Sequence, residues 1–160
     1  MRVSSVLMNI EQHNQDCLAE LQRIISQGKL ELQGQYTRLL AQDLSLQQWD
    51  GCFERNSLRV LEQFYVQTLI DIKNLGFDAS ESPVNRGLSA LTQQVLAVFD
   101  GFVDEFLVFV VNKHRTSCAL SNFPDEHKPN NAYVNDVRHA IAALWQDFAI
   151  QVNAHFLGIS

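Results

Sequence analysis

One pair of residues in this sequence has the spacing of a metal site, because His114 and Cys118 stand four positions apart. Residues at this spacing share one face of an α-helix, so both side chains could reach the same ion. Zinc takes at least three protein ligands, and His127 or Asp125 could supply another. The same residues also fit an ordinary helix followed by a loop. We therefore name His114, Cys118 and His127 as candidate metal ligands, and the sequence predicts no other cofactor.

Two further pairs have similar spacing but a simpler structural explanation. His13 and Cys17 are also four apart, yet Cys17 falls in a stripe of packing residues, where a small buried thiol is common. Asp136 and His139 give a shortened version of the Glu-x-x-His motif of di-iron bundles, but no second motif matches it. Asp136 is better explained as a favourable charge at the amino end of the last helix. Neither pair predicts a site.

Three carboxylates, Asp100, Asp104 and Glu105, interrupt a largely apolar stretch. If they faced a cavity, one could have a raised pKa and act as a general acid, or two could hold a cation. Because charges rarely stay buried without a partner, a solvated stripe on a helix explains them better. The sequence also contains no nucleophile elbow, P-loop, HExxH motif or kinase motif. We therefore expect a protein without enzymatic activity.

Four phenylalanines at helical spacing could line a pocket for a small apolar ligand; they are Phe99, Phe102, Phe106 and Phe109. Protein interiors pack closely, and aromatic residues at this spacing usually form the core itself. A ligand pocket along residues 99–109 is therefore the alternative to a closed core.

The first helix has a narrow apolar seam with one polar member, Asn14. In coiled coils an asparagine at such a position lowers stability but fixes the register or the number of partners. The alternative is that Asn14 lies at an edge and contacts water. The seam predicts an interface with another protein, or a homodimer with a second copy of this chain, formed by Leu7, Ile10, Asn14, Cys17 and Leu21.

The overall charge limits the partners that this protein can bind. Its formal net charge is −6, and the closest approach to a basic cluster is Lys113, His114 and Arg115. Phosphate backbones are repelled by an acidic surface, so nucleic acid is not an expected partner. Three widely separated cysteines indicate reduced thiols and a cytoplasmic protein. Carboxylates interrupt the most apolar stretch, residues 95–111, which argues against a membrane span.

Apolar residues that recur every three or four positions predict five helical segments. The first is expected to end near Gly28, and the second to occupy residues 32–49. The third covers residues 58–75, with Asn56 or Ser57 as its amino-terminal cap and a glycine at its carboxyl end.

Ser82 and Pro83 are expected to open a fourth helix, which continues without a break to Val110 and is apolar around most of its circumference. This helix is the predicted centre of the bundle. The pattern stops over residues 112–131, which contain prolines and asparagines and predict the longest loop. A last helix covers residues 134–156.

Together these patterns predict an all-α fold, with one domain over residues 1–160 built as a bundle of four to five helices around a central hydrophobic helix. For function, we expect a non-enzymatic helical module that binds another protein, as an adaptor, small chaperone, inhibitor or regulator does. The alternative is a helical bundle that binds a small apolar ligand or a metal ion.

Overall fold

The computed structural model of the protein describes residues 2–128 and 130–158, with side chains from residue 9 onward. The all-α fold is confirmed. The helices are α1 (Arg2–Ser45), α2 (Cys52–Leu75), α3 (Ala90–Ala97), α4 (Phe102–Leu120) and α5 (Asn131–Leu157). A short antiparallel hairpin precedes α3, and a 3-10 turn precedes α5; these elements are β1 (Val84–Asn85), β2 (Leu88–Ser89) and the turn Asp125–His127.

The first helix is longer than predicted, because α1 continues through the glycine at which we expected it to end. Gly28 serves close packing instead: a Cβ atom at this position would lie 2.7 Å from Cε2 of Phe64. Beyond this glycine the apolar stripe continues with Leu32 and Tyr36, both buried. The prediction of a separate second helix was therefore wrong.

The second helix begins at Cys52, before the cap that the sequence predicted. Asn56 and Ser57 lie inside the helix and are buried. The Nδ2 of Asn56 donates a hydrogen bond to Oδ2 of Asp43 at 2.8 Å, and Oγ of Ser57 donates to the carbonyl of Phe53 at 2.6 Å. The predicted cap was wrong because these two polar side chains lie within the helix and form hydrogen bonds to other groups of the chain.

Between α2 and α3 the chain forms a hairpin where the sequence predicted the start of a long helix. Gly76 follows α2 in the left-handed conformation, with a φ of 77°, as a glycine at this position predicts. The start expected at Ser82 and Pro83 was wrong, because Ser89 caps α3 and accepts a hydrogen bond from the backbone of Thr92. Each strand is only two residues long, so the hairpin leaves no alternating pattern in the sequence.

Asn153 of α5 fixes the hairpin in place. Its Nδ2 donates to the carbonyl of Gly87 at 2.5 Å. Its Oδ1 accepts hydrogen bonds from the backbone of Ser89 and from Oγ1 of Thr92, both at 2.9 Å. A single side chain therefore satisfies polar groups of both the hairpin and the first turn of α3.

Gly101 divides the predicted fourth helix in two. Its φ of 76° is incompatible with a continuing α-helix, and α4 begins at the next residue. The loop predicted over residues 112–131 was too long, because α4 keeps a buried face as far as Cys118. Only residues 121–130 separate α4 from α5.

The last helix was predicted within a few residues. α5 covers Asn131–Leu157, and Gly158 follows it with a φ of 73°. Its buried side chains lie four or seven positions apart and are Val137, Ile141, Phe148, Val152 and Phe156. No helix in the described part of the chain is both long and apolar enough to cross a lipid bilayer.

The chain divides into two compact units, and α1, α2 and α5 contribute residues to both. The first unit comprises Met1–Gln27, Tyr65–Asp100 and Gln146–Ser160, and the second comprises Gly28–Phe64 and Gly101–Trp145. Buried residues of the first unit include Leu21, Ile25, Tyr65, Ile72, Val95, Phe99 and Phe148. Buried residues of the second include Tyr36, Leu40, Phe53, Leu61, Phe102, Phe106, Val110 and Ile141. The single domain over 1–160 stays a prediction.

Candidate functional site

A groove in the second unit lies between α4 and the first turns of α5, and its volume is about 580 Å³. We call it the α4–α5 groove. It is lined by Asp104, Leu107, Val108, Val111, Asn112 and Arg115 of α4 and by Val134 and Arg138 of α5. The α4 residues follow one another at alternating spacings of three and one, so they form one stripe along the helix. The groove therefore runs parallel to α4.

The apolar part of the α4–α5 groove is incompletely covered by the chain itself. Leu107 and Val111 are buried, whereas Val108 is 60% exposed, and Val134 is half-buried. Single exposed apolar side chains are normal on protein surfaces, but here the exposed valine adjoins other apolar groups in a concave site. Covering Val108 would stabilise a complex by about 2 kcal/mol, at about 25 cal/mol for each Å² removed from water.

The charged residues of the α4–α5 groove are unequally paired. Nη1 of Arg138 lies 3.6 Å from Oδ1 of Asp104, and both side chains are largely exposed. Arg115 is exposed and forms no ion pair with any residue that the structure describes. Two guanidinium groups against one carboxylate leave the groove with a positive charge, in a chain whose net charge is −6.

The buried face of α4 determines which residues remain in the groove. The ring of Phe102 stacks on that of Phe64 with centroids 4.9 Å apart, and the hydroxyl of Tyr36 donates to the carbonyl of Val110 at 3.4 Å. These contacts fix the rotation of the helix about its axis. Val108 and Arg115 are consequently left exposed.

His114 lies on the buried face of α4 and is inaccessible to solvent. Its ring packs against those of Phe53 and Phe123, with centroids 5.1 Å and 5.4 Å away. Neither ring nitrogen has a partner of ordinary hydrogen-bond geometry. Burial lowers the pKa of His114 to about 4, and the backbone of His127 opposes part of this shift. The imidazole is therefore neutral at pH 7.

The structure does not assemble the predicted metal ligands into a site. Cys118 follows His114 on the buried face, and burial raises the pKa of its thiol to about 11. The ring of His127 packs 5.9 Å from that of Phe123, and its Nδ1 lies 3.8 Å from a carboxylate oxygen of Asp50. Over residues 2–128 and 130–158, no group of three His, Cys, Asp or Glu side chains could hold a metal ion.

The cysteines are not arranged as nucleophiles. All three are buried and free, and burial raises the pKa of Cys52 to about 12 and that of Cys17 above its usual value. Nε2 of His13 lies 3.7 Å from Sγ of Cys17, but it also lies 2.6 Å from the carbonyl oxygen of Gly76. This nitrogen must carry the proton of that hydrogen bond, so it cannot accept one from the thiol.

Asn14, the polar member of the α1 seam, is hydrogen-bonded within the first unit. Nδ2 of Asn14 donates to the carbonyl of Asp78, and Oδ1 accepts from the backbone amide of the same residue, both at 2.9 Å. Sγ of Cys17 donates to the carbonyl of Leu75 at 3.4 Å. With His13, these side chains satisfy backbone groups at and beyond the carboxyl end of α2.

The residues of the interface predicted along this seam differ in how far the chain itself covers them. Cys17 and Leu21 are buried in the first unit, and Ile10 and Asn14 are half-buried. Leu7 lies outside the side chains that the structure describes. Cys17 and Leu21 therefore pack in the core of this unit, and the interface along the seam stays a prediction.

The remaining polar candidates lie on the surface. Asp100, Asp104 and Glu105 are all exposed, in agreement with the solvated stripe. Asp136 and His139 are exposed as well. None of these groups faces an enclosed site in which a general acid or a bound cation would be shielded from water.

The phenylalanines of the predicted ligand pocket contribute to the cores of their own units. Phe99, Phe102 and Phe106 are buried. Phe109 packs edge-on against Tyr36, with ring centroids 6.1 Å apart. This packing favours the closed-core interpretation of residues 99–109 over the ligand pocket.

A second groove, in the first unit, is polar and has a volume of about 300 Å³. We call it the polar groove; it is lined by Ile10, Glu11, Asn14, Gln15, Asp78, Glu81, Ser82, Ala90, Leu91 and Gln94. Several of its groups are already hydrogen-bonded within the chain. Besides the bonds of Asn14 to Asp78, Oγ of Ser82 accepts from the backbone amide of Leu91 at 2.9 Å.

The sequence did not identify the α4–α5 groove. From the sequence, Arg115 was notable only as part of a weak basic cluster, and Val108, Val134 and Arg138 were not candidate binding residues. The available signal was that Val108 lies off the stripe formed by Phe102, Phe106 and Val110. No family model, curated protein or solved structure matches the chain.

Proposed function

We propose that this protein is non-enzymatic and acts by binding another protein in the α4–α5 groove, as an adaptor, small chaperone, inhibitor or regulator does. The observation that carries the proposal is the exposed Val108 beside the apolar side chains of Leu107, Val111 and Val134. Protein interfaces combine an apolar centre with a polar rim, and arginine is common in them. The groove has both parts.

The chemistry elsewhere in the described chain supports binding over catalysis. The three thiols are buried, and their raised pKa values keep them protonated at neutral pH. The neutral imidazole of His114 is enclosed by aromatic rings. Free thiols also fit the reducing cytoplasm, which we propose as the location of the protein.

Site-specific photo-cross-linking tests this proposal. A photoreactive amino acid replaces Val108 in the full-length chain, expressed in its native cell. The matched control places the same amino acid at Val66, a valine of α2 that is 58% exposed and does not line the groove. We expect a discrete adduct with another protein at position 108 and not at position 66.

Two results would contradict the proposal. Equal adducts at both positions, or none at either, would mean that Val108 is an ordinary exposed side chain. An adduct consisting only of two copies of this chain would replace the heterologous partner with a homodimer. Circular dichroism of both substituted proteins verifies that the fold is retained.

A further inference from the structure

The α4–α5 groove has a length along α4 that suits one short helix. Its α4 stripe runs from Asp104 to Arg115, which corresponds to about 16 Å at 1.5 Å per residue, or about three helical turns. Val134 and Arg138 form the second wall and lie one turn apart on α5. Both walls are helices, so their backbone amides and carbonyls are already hydrogen-bonded.

Because the backbone of both walls is already paired, the groove favours a helical segment over an extended peptide. An extended peptide gains affinity by pairing its backbone with a free sheet edge, and helical walls offer none. A helical segment satisfies its own backbone and presents a side chain to the groove at every turn. The apolar centre around Val108 then takes the apolar face of such a segment.

The charge of the groove selects among helical partners. Arg138 is partly neutralised by Asp104, while Arg115 forms no ion pair with any residue that the structure describes. A carboxylate on the bound helix can supply the missing charge to Arg115. Charges at the rim of an interface determine specificity and association rate more than affinity.

Resting on the proposed function, we infer that the partner segment is an amphipathic α-helix, which places an apolar side chain over Val108 and a carboxylate at Arg115. Two arginines are too few for binding to anionic lipid, which usually needs a cluster of four or more basic residues. The same limit applies to nucleic acid, which the net charge of −6 repels.

A library of helical peptides displayed on phage, each about eleven residues long to match the groove, provides the probe. Selection on the wild-type protein should enrich peptides that carry an apolar anchor and Asp or Glu about two turns away. Against Arg115→Glu, these peptides should bind about tenfold more weakly, because attraction becomes repulsion. Peptides in which Lys replaces the acidic residue should instead gain affinity for this variant.

Arg59→Glu is the matched control, because Arg59 is an exposed arginine of α2 outside the groove and the substitution changes the net charge equally. It should change the affinity less than about twofold. If Val108→Asp abolishes binding but Arg115→Glu does not weaken it, the carboxylate inference is wrong and the proposed function survives. If neither substitution affects binding, both are wrong. Binding to phosphatidylserine vesicles that Arg115→Glu abolishes would also overturn the inference.

Discussion

The polar groove and the α4–α5 groove differ in how far the chain itself satisfies several of the groups that line them. In the polar groove of the first unit, Asn14 exchanges two hydrogen bonds with the backbone of Asp78, and Ser82 accepts from Leu91. In the α4–α5 groove of the second unit, Val108 is exposed and Arg115 forms no ion pair with any described residue. Asn14 and Ser82 are already paired within the chain, whereas Val108 and Arg115 are groups that a partner would complete.

This difference shows why polar composition alone is a poor guide to a binding site. Asn14 attracted attention as the odd residue of an apolar seam, yet the fold uses it to satisfy backbone groups. Substitutions that remove such a residue should lower stability. Substitutions in the α4–α5 groove should leave stability nearly unchanged and lower binding, and this contrast makes the comparison testable.

The largest expected effect on stability is a pH dependence caused by His114, on the buried face of α4. His114 has a folded-state pKa of about 4, below the 6.5 of an exposed histidine, so the unfolded chain takes up the proton first as the pH falls. Its contribution to stability is complete above about pH 6.5 and is lost progressively toward pH 4. The difference between the two pKa values corresponds to about 3 kcal/mol of unfolding free energy. Most of this should be lost between pH 7.5 and pH 4.5, as measured by urea unfolding.

Carboxylates also titrate in this range, so the decisive quantity is the difference between variants. His114→Leu should have a shallower pH dependence than the wild type over this interval. His139→Leu, at an exposed histidine, should retain the wild-type dependence. Parallel pH profiles for the wild type and His114→Leu would show that the buried imidazole does not couple stability to pH.

A smaller loss of stability is expected when a hydrogen-bonded residue of the polar groove is replaced. Asn14→Ala removes both hydrogen bonds to Asp78 and leaves a part-buried amide and carbonyl without their partner. We expect the free energy of unfolding to fall by about 2 kcal/mol, with no change in oligomeric state. Thermal unfolding and light scattering measure the two quantities. A stable variant with an altered oligomeric state would support the seam as an interface instead.

The smallest stability effect is expected in the α4–α5 groove. Val108→Asp replaces an exposed side chain, so the free energy of unfolding should change by less than about 0.5 kcal/mol. Val66→Asp, at a comparably exposed valine of α2, should behave in the same way. Urea unfolding of both variants provides the measurement. A loss of several kcal/mol at position 108 alone would identify this valine as a core residue.

Much of the fold could be predicted from the sequence, because helical periodicity is local. The all-α class and the last helix followed from apolar spacing alone. Gly28 was misinterpreted because the sequence does not reveal that Phe64 packs against it. The break at Gly101 was missed because the apolar spacing continues across it, although the backbone there is left-handed.

The α4–α5 groove could not be predicted for a different reason. Periodicity identifies the face of α4 that is most apolar, but not which residues beside that face are left uncovered by neighbouring helices. Whether Arg115 finds an acidic partner likewise depends on tertiary structure. Sequence alone therefore favoured the α1 seam, where a polar residue among apolar ones was visible without any structure.

The affinity of the cross-linked partner, once identified and purified, separates the α4–α5 groove from the rest of the surface. Isothermal titration calorimetry compares the wild type, Val108→Asp and Val66→Asp at equal protein and salt concentrations. We predict at least about a tenfold loss of affinity for Val108→Asp and wild-type affinity for Val66→Asp. Equal affinities for all three proteins would contradict the assignment of the α4–α5 groove as the protein-binding site.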